Sequence, residues 1–399
     1  MFTHPQYHNV TLLAVCQSMF ACGQTTMFFV GSLIGAELAT NKALATLPVS
    51  AVILGTALMT VPASLVMRRV GRRAGFMGAA AVGGIGVLTC ALALYFSLFW
   101  VLCVGALTVG FYHAFCQYYR FAAADAATPE FRPKAISLVM AGGVVAGVLG
   151  PTLAVNSREI FPDIEYLGSY LALAALTMCI LVLVSFVRIP RLSEAERKDT
   201  GRPLLEIMRQ PRFIAAAGSS MIAYGIMSLL MTATPLAMRA CDHPVDDAGF
   251  VIQWHVVGMF APSFFTGHLI SRFGLVKIML TGAILLLLAV ASALHGITIL
   301  NFMASMFMLG VGWNFLFVGG STLLTEVHTV SERGKTQAAH DFMVFATTAM
   351  GSFLSGQLLF HFGWERVNLM ALPLIITVTL LVIWFAFIRR AEEAAMRSA

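Results

Sequence analysis

The chain alternates between long apolar runs and short polar turns. A stretch of about 20 apolar residues is long enough to cross a bilayer as a helix. Twelve such stretches are legible, at approximately 10–36, 43–67, 75–96, 98–124, 135–159, 166–189, 213–240, 248–271, 276–296, 299–327, 335–361 and 366–388. Most connections are short. The exception is 190–212, which is charged and contains Pro190, Pro203 and Pro211. It divides the chain into an N-terminal six-helix bundle (1–189), a linker (190–212) and a C-terminal six-helix bundle (213–399). The pattern predicts an all-α membrane protein with 12 transmembrane helices in two pseudo-repeated halves.

Composition agrees with this pattern. The 399 residues are 59% hydrophobic and 11% charged, whereas soluble domains carry about 25% charged residues. The net charge of +6 reflects loop topology and not nucleic-acid binding. With the N-terminus placed in the cytoplasm, 20 of the 25 Lys and Arg fall on the cytoplasmic side. Only Lys42, Arg158, Arg239 and Arg366 fall outside, and Arg120 lies within a span. This asymmetry predicts a bacterial inner-membrane protein with both termini inside. Six of the seven cysteines sit in apolar segments and none forms a CxxC pair, which argues against a disulfide framework. No motif suggests an enzyme, and without a Gly-rich loop ending in Lys-Ser/Thr an ATP-driven pump is not expected.

The two halves echo each other. Gly55 through Arg69-Val-Gly71 is matched by Gly258 through Arg272-Phe-Gly274, and Gly110 and Gly312 occupy corresponding places in the fourth and tenth spans. Duplicated six-helix halves are what many secondary transporters use, with substrate held near the midplane.

Candidate chemistry gathers at 221–260. Met227-x-x-x-Met231 lies in the seventh span and His255-x-x-x-Met259 in the eighth. Residues i and i+4 share a helix face. Thioether and imidazole both suit copper. If the two spans pack as an antiparallel hairpin, both pairs lie roughly 10–20 Å from the membrane surface. Chance alone supplies about one Met-x-x-x-Met in a chain with 22 Met, so packing methionines and a structural histidine are the competing reading. Elsewhere, Arg120 needs a partner, for which Asp125, Glu326 and Asp341 are candidates. His113, His340 and Asp341 are candidates for a proton relay, and Glu326 and His328 sit near a span end. His4 and His8 in the tail, and Cys241, Asp242, His243, Asp246 and Asp247 in the outer turn, are candidates to attract a cation. Met303, Met306 and Met308 share no single face and read as packing.

Ser64-Leu-Val-Met-Arg68-Arg69-Val-Gly71-Arg72-Arg73 partly matches the Gly-x-Leu-x-Asp-Arg-x-Gly-Arg-Arg loop of the major facilitator superfamily. Gly267-His-Leu269-Ile-Ser271-Arg272-Phe-Gly274 offers a second copy. The acidic residue is replaced by Arg68 and by Ser271. Within that superfamily the Met/Met and His/Met pairs resemble the CcoA-type copper importers. That resemblance implies a metal site at Met227, Met231, His255 and Met259, with copper as substrate and no resident cofactor. It also implies delivery toward cbb3-type cytochrome oxidase assembly, with a cytoplasmic copper acceptor or chaperone as partner. The stretches 118–125, 312–320 and 340–345 are similar to the same branch, which also holds RfnT-type riboflavin transporters. An organic-solute carrier is therefore the alternative expectation, with an aromatic-lined cavity drawn from Tyr112, Tyr118, Tyr119, Trp254 and Trp313. A copper sensor is a third possibility, disfavoured because no long soluble segment is present.

Overall fold

The computed structural model describes residues 5–128, 132–189, 201–329 and 332–398. The first half contains α1 (Pro5–Leu38), α2 (Leu47–Val70), α3 (Arg72–Tyr95), α4 (Phe99–Cys116), α5 (Arg132–Ser157) and α6 (Leu167–Ser185). After a turn at Gln117–Tyr118, a short helix, Tyr119–Asp125, continues α4. The second half contains α7 (Pro211–Ala240), α8 (Val245–Phe260, continued by Ser263–Phe273), α9 (Leu275–His295) and α10 (Ile299–Leu324). A final helical run, Arg333–Ser398, is divided by Gly363 at φ 76° and ψ 176°, giving α11 (333–362) and α12 (364–398).

Among the described residues ten helices are long and apolar enough to cross a membrane, and the two parts of α8, bent by 42°, make one further span. With the last run divided at Gly363, twelve spans result. The bend in α8 falls at Pro262, whose ring removes a backbone donor and clashes with the preceding turn. Asn314 of α10 fills the breach. Its Nδ2 donates to the Met259 carbonyl at 2.7 Å and to Ser263 Oγ at 2.6 Å, and its Oδ1 accepts from Thr266 Oγ1 at 2.8 Å.

The internal repeat is visible in backbone geometry. Gly71 ends α2 at φ 90° and ψ 157°, and Gly274 ends α8 at φ 92° and ψ 147°. Each N–H closes the preceding helix, on the Met67 and Ile270 carbonyls respectively. Only glycine adopts such φ values without a steric cost, so the same turn has been kept at the same junction of both halves. The close helix crossings repeat as well. Gly55 meets Gly110 between α2 and α4, and Gly258 meets Gly310 between α8 and α10. The repeat partner of Gly110 is therefore Gly310, not the expected Gly312, which packs on Gly282 of α9.

The expected α7/α8 hairpin packing is corrected. The turn joins the two helices, but α10 lies between them. Met306 of α10 receives Thr234 Oγ1 of α7 on its sulfur at 3.2 Å, and its carbonyl bonds His255 of α8 at 2.7 Å. α7 packs instead along α11, where Gly225 meets Gly351 and Ser228 Oγ donates to the Thr348 carbonyl at 2.9 Å. α8 packs on α10 and, across the halves, on α5 through Gly143 and Gly147.

At the end remote from the termini the halves are fastened by several bonds. Ser50 Oγ donates to Ser352 Oγ at 3.1 Å, Gly356 N to Thr46 Oγ1 at 3.2 Å and Gln357 Nε2 to the Ala43 carbonyl at 2.9 Å. Glu37 pairs with Arg239 at 3.0 Å, and Arg158 with Asp246 at 3.1 Å. At the terminal end, Arg202 ties the last part of the linker to the α10–α11 turn. It forms a two-pronged pair with Glu332 at 2.7 and 2.8 Å. The Arg202 guanidinium, helped by the Thr329 N–H, holds the Glu332 carboxyl well below the usual carboxylate range. The remaining expected linker residues, 190–200, lie outside the described residues, as does His4.

Candidate functional site

The four residues expected to hold a metal are all buried: Met227 5%, Met231 8%, His255 0% and Met259 7% exposed. Met227 and Met231 lie on the face of α7 that also carries Tyr224. His255 and Met259 lie on α8 where it crosses α10, since the His255 carbonyl and the Met259 N–H approach Gly310. A carbonyl only accepts, so His255 Nδ1 donates to Met306 and Nε2 keeps its lone pair. Nε2 has no protein partner. Among the described residues no group of three or more His, Cys, Asp or Glu is arranged to hold a metal.

Two of the five candidates in the 241–247 turn are engaged in structure. His243 Nε2 bonds the Ile297 carbonyl at 2.7 Å, and Asp246 pairs with Arg158. His113 lies within the first half, edge-on to Phe20 at 4.9 Å, where it lines a cavity of about 20 Å³ with Tyr112 and Thr177. That is room for about one water.

The partner of the partly buried Arg120 is resolved. Asp125 pairs with Arg72 at 2.5 Å and Glu326 with Arg212 at 3.8 Å. Arg120 is left with Asp341, at 3.8 Å across the interval between the halves. Asp341 also accepts from His340 Nδ1 at 3.0 Å. The Arg72–Asp125 pair supplies an acidic partner to the α2–α3 turn, whose own acidic position is occupied by Arg68.

An aromatic cluster lies one turn along α11 from the Arg120–Asp341 pair, reached through Phe345, four residues after Asp341. Trp313 and Phe317 of α10, one helical turn apart, stack at 5.1 Å with their planes 13° apart. Tyr224 of α7 sets its edge against both, at 4.9 and 5.0 Å. Phe345 of α11 closes on Tyr224 at 6.3 Å, and Phe260 of α8 on Trp313 at 6.2 Å. Trp313 is itself covered, at 2% exposed, so the accessible part of the cluster is offered by the partly exposed rings of Tyr224, Phe317, Phe345 and Phe260. Such a surface suits a planar heteroaromatic molecule bearing polar edge groups.

Of the five aromatics expected to line a cavity, only Trp313 belongs to this cluster. Tyr112 and Tyr119 pack in the core of the first half, Tyr119 against Phe76 at 4.8 Å. Tyr118 donates to the Thr60 carbonyl at 3.0 Å. Trp254 is exposed on the outer surface of α8 beside Phe250 and Phe307. Tyr224, Phe317, Phe345 and Phe260 were missed. Phe317 and Phe345 lie inside the stretches 312–320 and 340–345, and the i, i+4 spacing of Trp313 and Phe317 was a usable signal.

The model of the family described as Major Facilitator Superfamily matches residues 13–239 and 216–398. The chain is 42% identical over 372 residues to the riboflavin transporter RfnT of Brucella anthropi, covering 93% of this chain and 94% of that one. It is 28% identical to the MFS-type transporter YddS of Bacillus subtilis, covering 97% and 92%. Among solved structures, a bacterial homologue of the human lysosomal transporter Spinster, in an inward-facing and unoccupied conformation, aligns with TM-score 0.73 at 14% identity over 96% of this chain and 97% of that one. The nucleoside transporter NupG aligns with TM-score 0.70 at 14% identity over 94% and 98%. These structures establish the shared fold. The relative named as a riboflavin transporter agrees better with the organic-solute expectation than with the CcoA-type copper importer.

Proposed function

The chain belongs to the Major Facilitator Superfamily of secondary transporters, and from that premise we propose that its substrate is a flavin, riboflavin or a close analogue, imported through the interval between the halves. The carrying observation is the Trp313–Phe317 stack, edged by Tyr224 and adjoining Arg120 and Asp341. A tricyclic flavin ring is planar, apolar on its faces and polar along one edge, which is the complement of that surface. The identity to a riboflavin transporter over nearly the whole chain supports the same reading. The excess of Lys and Arg at the terminal end supports an inner-membrane orientation with both termini in the cytoplasm. The closed end is then the periplasmic one. Division into bundles 1–189 and 213–399 about the linker 190–212 fits rocking of the halves around a fixed site.

Riboflavin uptake by a flavin-auxotrophic host tests this reading. Wild-type chain is expected to restore growth on low riboflavin. Trp313→Ala, at equal membrane abundance, is expected to raise the half-saturating concentration by about tenfold, because the partly exposed rings lose the buried indole that backs them, worth roughly 1.5 kcal/mol. Growth equal to empty vector with the wild-type chain would refute the proposal.

One observation favours a second reading, copper import at Met227, Met231, His255 and Met259: the unpartnered Nε2 of His255 inside a methionine-rich region. Radioactive copper uptake that disappears in Met227→Leu and His255→Leu would support it, and wild-type uptake equal to empty vector would remove it.

A further inference from the structure

We propose that Arg120 from the first half and His340–Asp341 from the second jointly read the imide edge of the flavin ring, so that the bound substrate replaces their direct ion pair as the link between the halves. The inference rests on the flavin reading above and assigns residues to one part of the ligand.

Three observations carry it. First, the Arg120–Asp341 pair is loose. Its closest approach is 3.8 Å, whereas a charge-assisted N–H···O bond closes to about 2.7–2.9 Å. Arg120 Nε is buried and has no protein partner. Second, His340 is 2% exposed and spends Nδ1 on Asp341, which leaves Nε2 without a protein partner. An unmatched donor and an unmatched ring nitrogen therefore flank one carboxylate. Buried polar groups left in that condition are costly, and a ligand that satisfies them recovers that cost. Third, the groups adjoin the aromatic platform, since Phe345 follows Asp341 by one turn of α11 and closes on Tyr224 at 6.3 Å.

The imide edge of a flavin presents carbonyl, N–H and carbonyl in a row. The guanidinium donates to a carbonyl, and the Asp341 carboxylate accepts from the imide N–H. His340, with Nδ1–H held on Asp341, completes the edge by donating Nε2–H to the second carbonyl when the ring carries both protons. Arg120 belongs to the continuation of α4 and His340–Asp341 to α11, so a molecule held this way bridges the halves. Recognition and closure at the terminal end then become one event, which is how binding energy is directed into a conformational change. A ring blocked at the imide nitrogen cannot make the bridge even though it stacks normally.

The experiment compares riboflavin with its N3-methyl derivative, using uptake into proteoliposomes and flavin-fluorescence quenching by the purified protein. With wild type, N3-methylation is expected to weaken binding by tenfold or more, while both compounds quench at saturation. Asp341→Asn and Arg120→Lys are expected to weaken riboflavin and narrow the gap between the two compounds. Trp313→Phe is expected to weaken both and preserve the gap. If riboflavin is carried and the N3-methyl compound is carried equally well, the imide assignment is wrong and the flavin reading stands. If neither compound binds wild-type protein, the flavin reading itself fails. A variant that does not fold is recognised by loss of the monodisperse detergent-solubilised species, and the wild-type comparison of the two flavins still decides the matter.

Discussion

A single side chain holds the broken eighth span in shape. Pro262 interrupts the α8 hydrogen-bond ladder, and Asn314 supplies two donations and one acceptance to the groups around the break. In a bilayer no water is available to take over those bonds. Asn314→Ala is therefore expected to destabilise the protein by about 1–3 kcal/mol, read as a lowered midpoint in thermal unfolding of the detergent-purified chain. Asn314→Gln, with the same amide on a longer stem, should recover part of the loss. A midpoint equal to wild type in Asn314→Ala would show that the break does not depend on this residue. Asn314 adjoins Trp313, so the residue that fixes the bend of α8 and the residue that builds the aromatic platform are neighbours on α10. The sequence revealed one and not the other for a physical reason. A tryptophan in a span is an evident binding candidate, whereas an asparagine gains meaning only once the helix facing it is known to be broken. The same applies to Tyr224, which lies three residues before Met227 on the face already singled out. Its role depends on α10 and α11 converging on α7, which no local spacing encodes.

At the level of helices, boundaries were legible and neighbours were not. The twelve spans follow from apolar length alone, and the division at Gly363 falls within the gap anticipated between 361 and 366. The turn at 241–247 shows that α7 and α8 are consecutive. It does not show that α10 lies between them, and this is why the hairpin expectation failed. Glycines carry more of the neighbour information. A Cβ on Gly110 would sit 2.1 Å from the Val52 carbonyl oxygen, and one on Gly310 would sit 2.5 Å from the His255 carbonyl oxygen. These backbones touch, as small residues permit in membrane helices. Gly110→Ala and Gly310→Ala are expected to cost about 1–3 kcal/mol by overpacking. Gly78→Ala, where nothing lies within 4 Å, should be neutral or stabilising by up to about 1 kcal/mol, because alanine is the better helix former. Thermal unfolding of the three variants side by side checks this. Equal midpoints for Gly110→Ala and Gly78→Ala would mean that the α2–α4 crossing yields without cost.

For the molecule as a whole the decisive asymmetry is between its two ends. Four hydrogen bonds and two ion pairs join the halves at the end remote from the termini. At the other end the Arg120–Asp341 pair reaches only 3.8 Å, and Arg333 lies 5.7 Å over the Phe121 ring. The structure is therefore closed at the remote end. Transport by alternating access requires that end to open, and opening must part α2 from α11. Ser50 and Ser352 report on that step directly. Their hydroxyl oxygens lie 3.1 Å apart, and sulfur atoms in their places need only a small rotation to reach the ~2.05 Å of a disulfide. In a background cleared of the exposed Cys179 and the partly exposed Cys241, Ser50→Cys with Ser352→Cys is expected to cross-link on mild oxidation. Substrate uptake should then fall to the level of empty vesicles and return on reduction, while each single variant transports throughout. Flavin binding measured from the terminal side should survive the cross-link, because the aromatic platform and the Arg120–Asp341 pair lie outside the locked region. Undiminished uptake by the cross-linked protein would mean that α2 and α11 stay together during transport, and that the halves part along a different line from the one these contacts define.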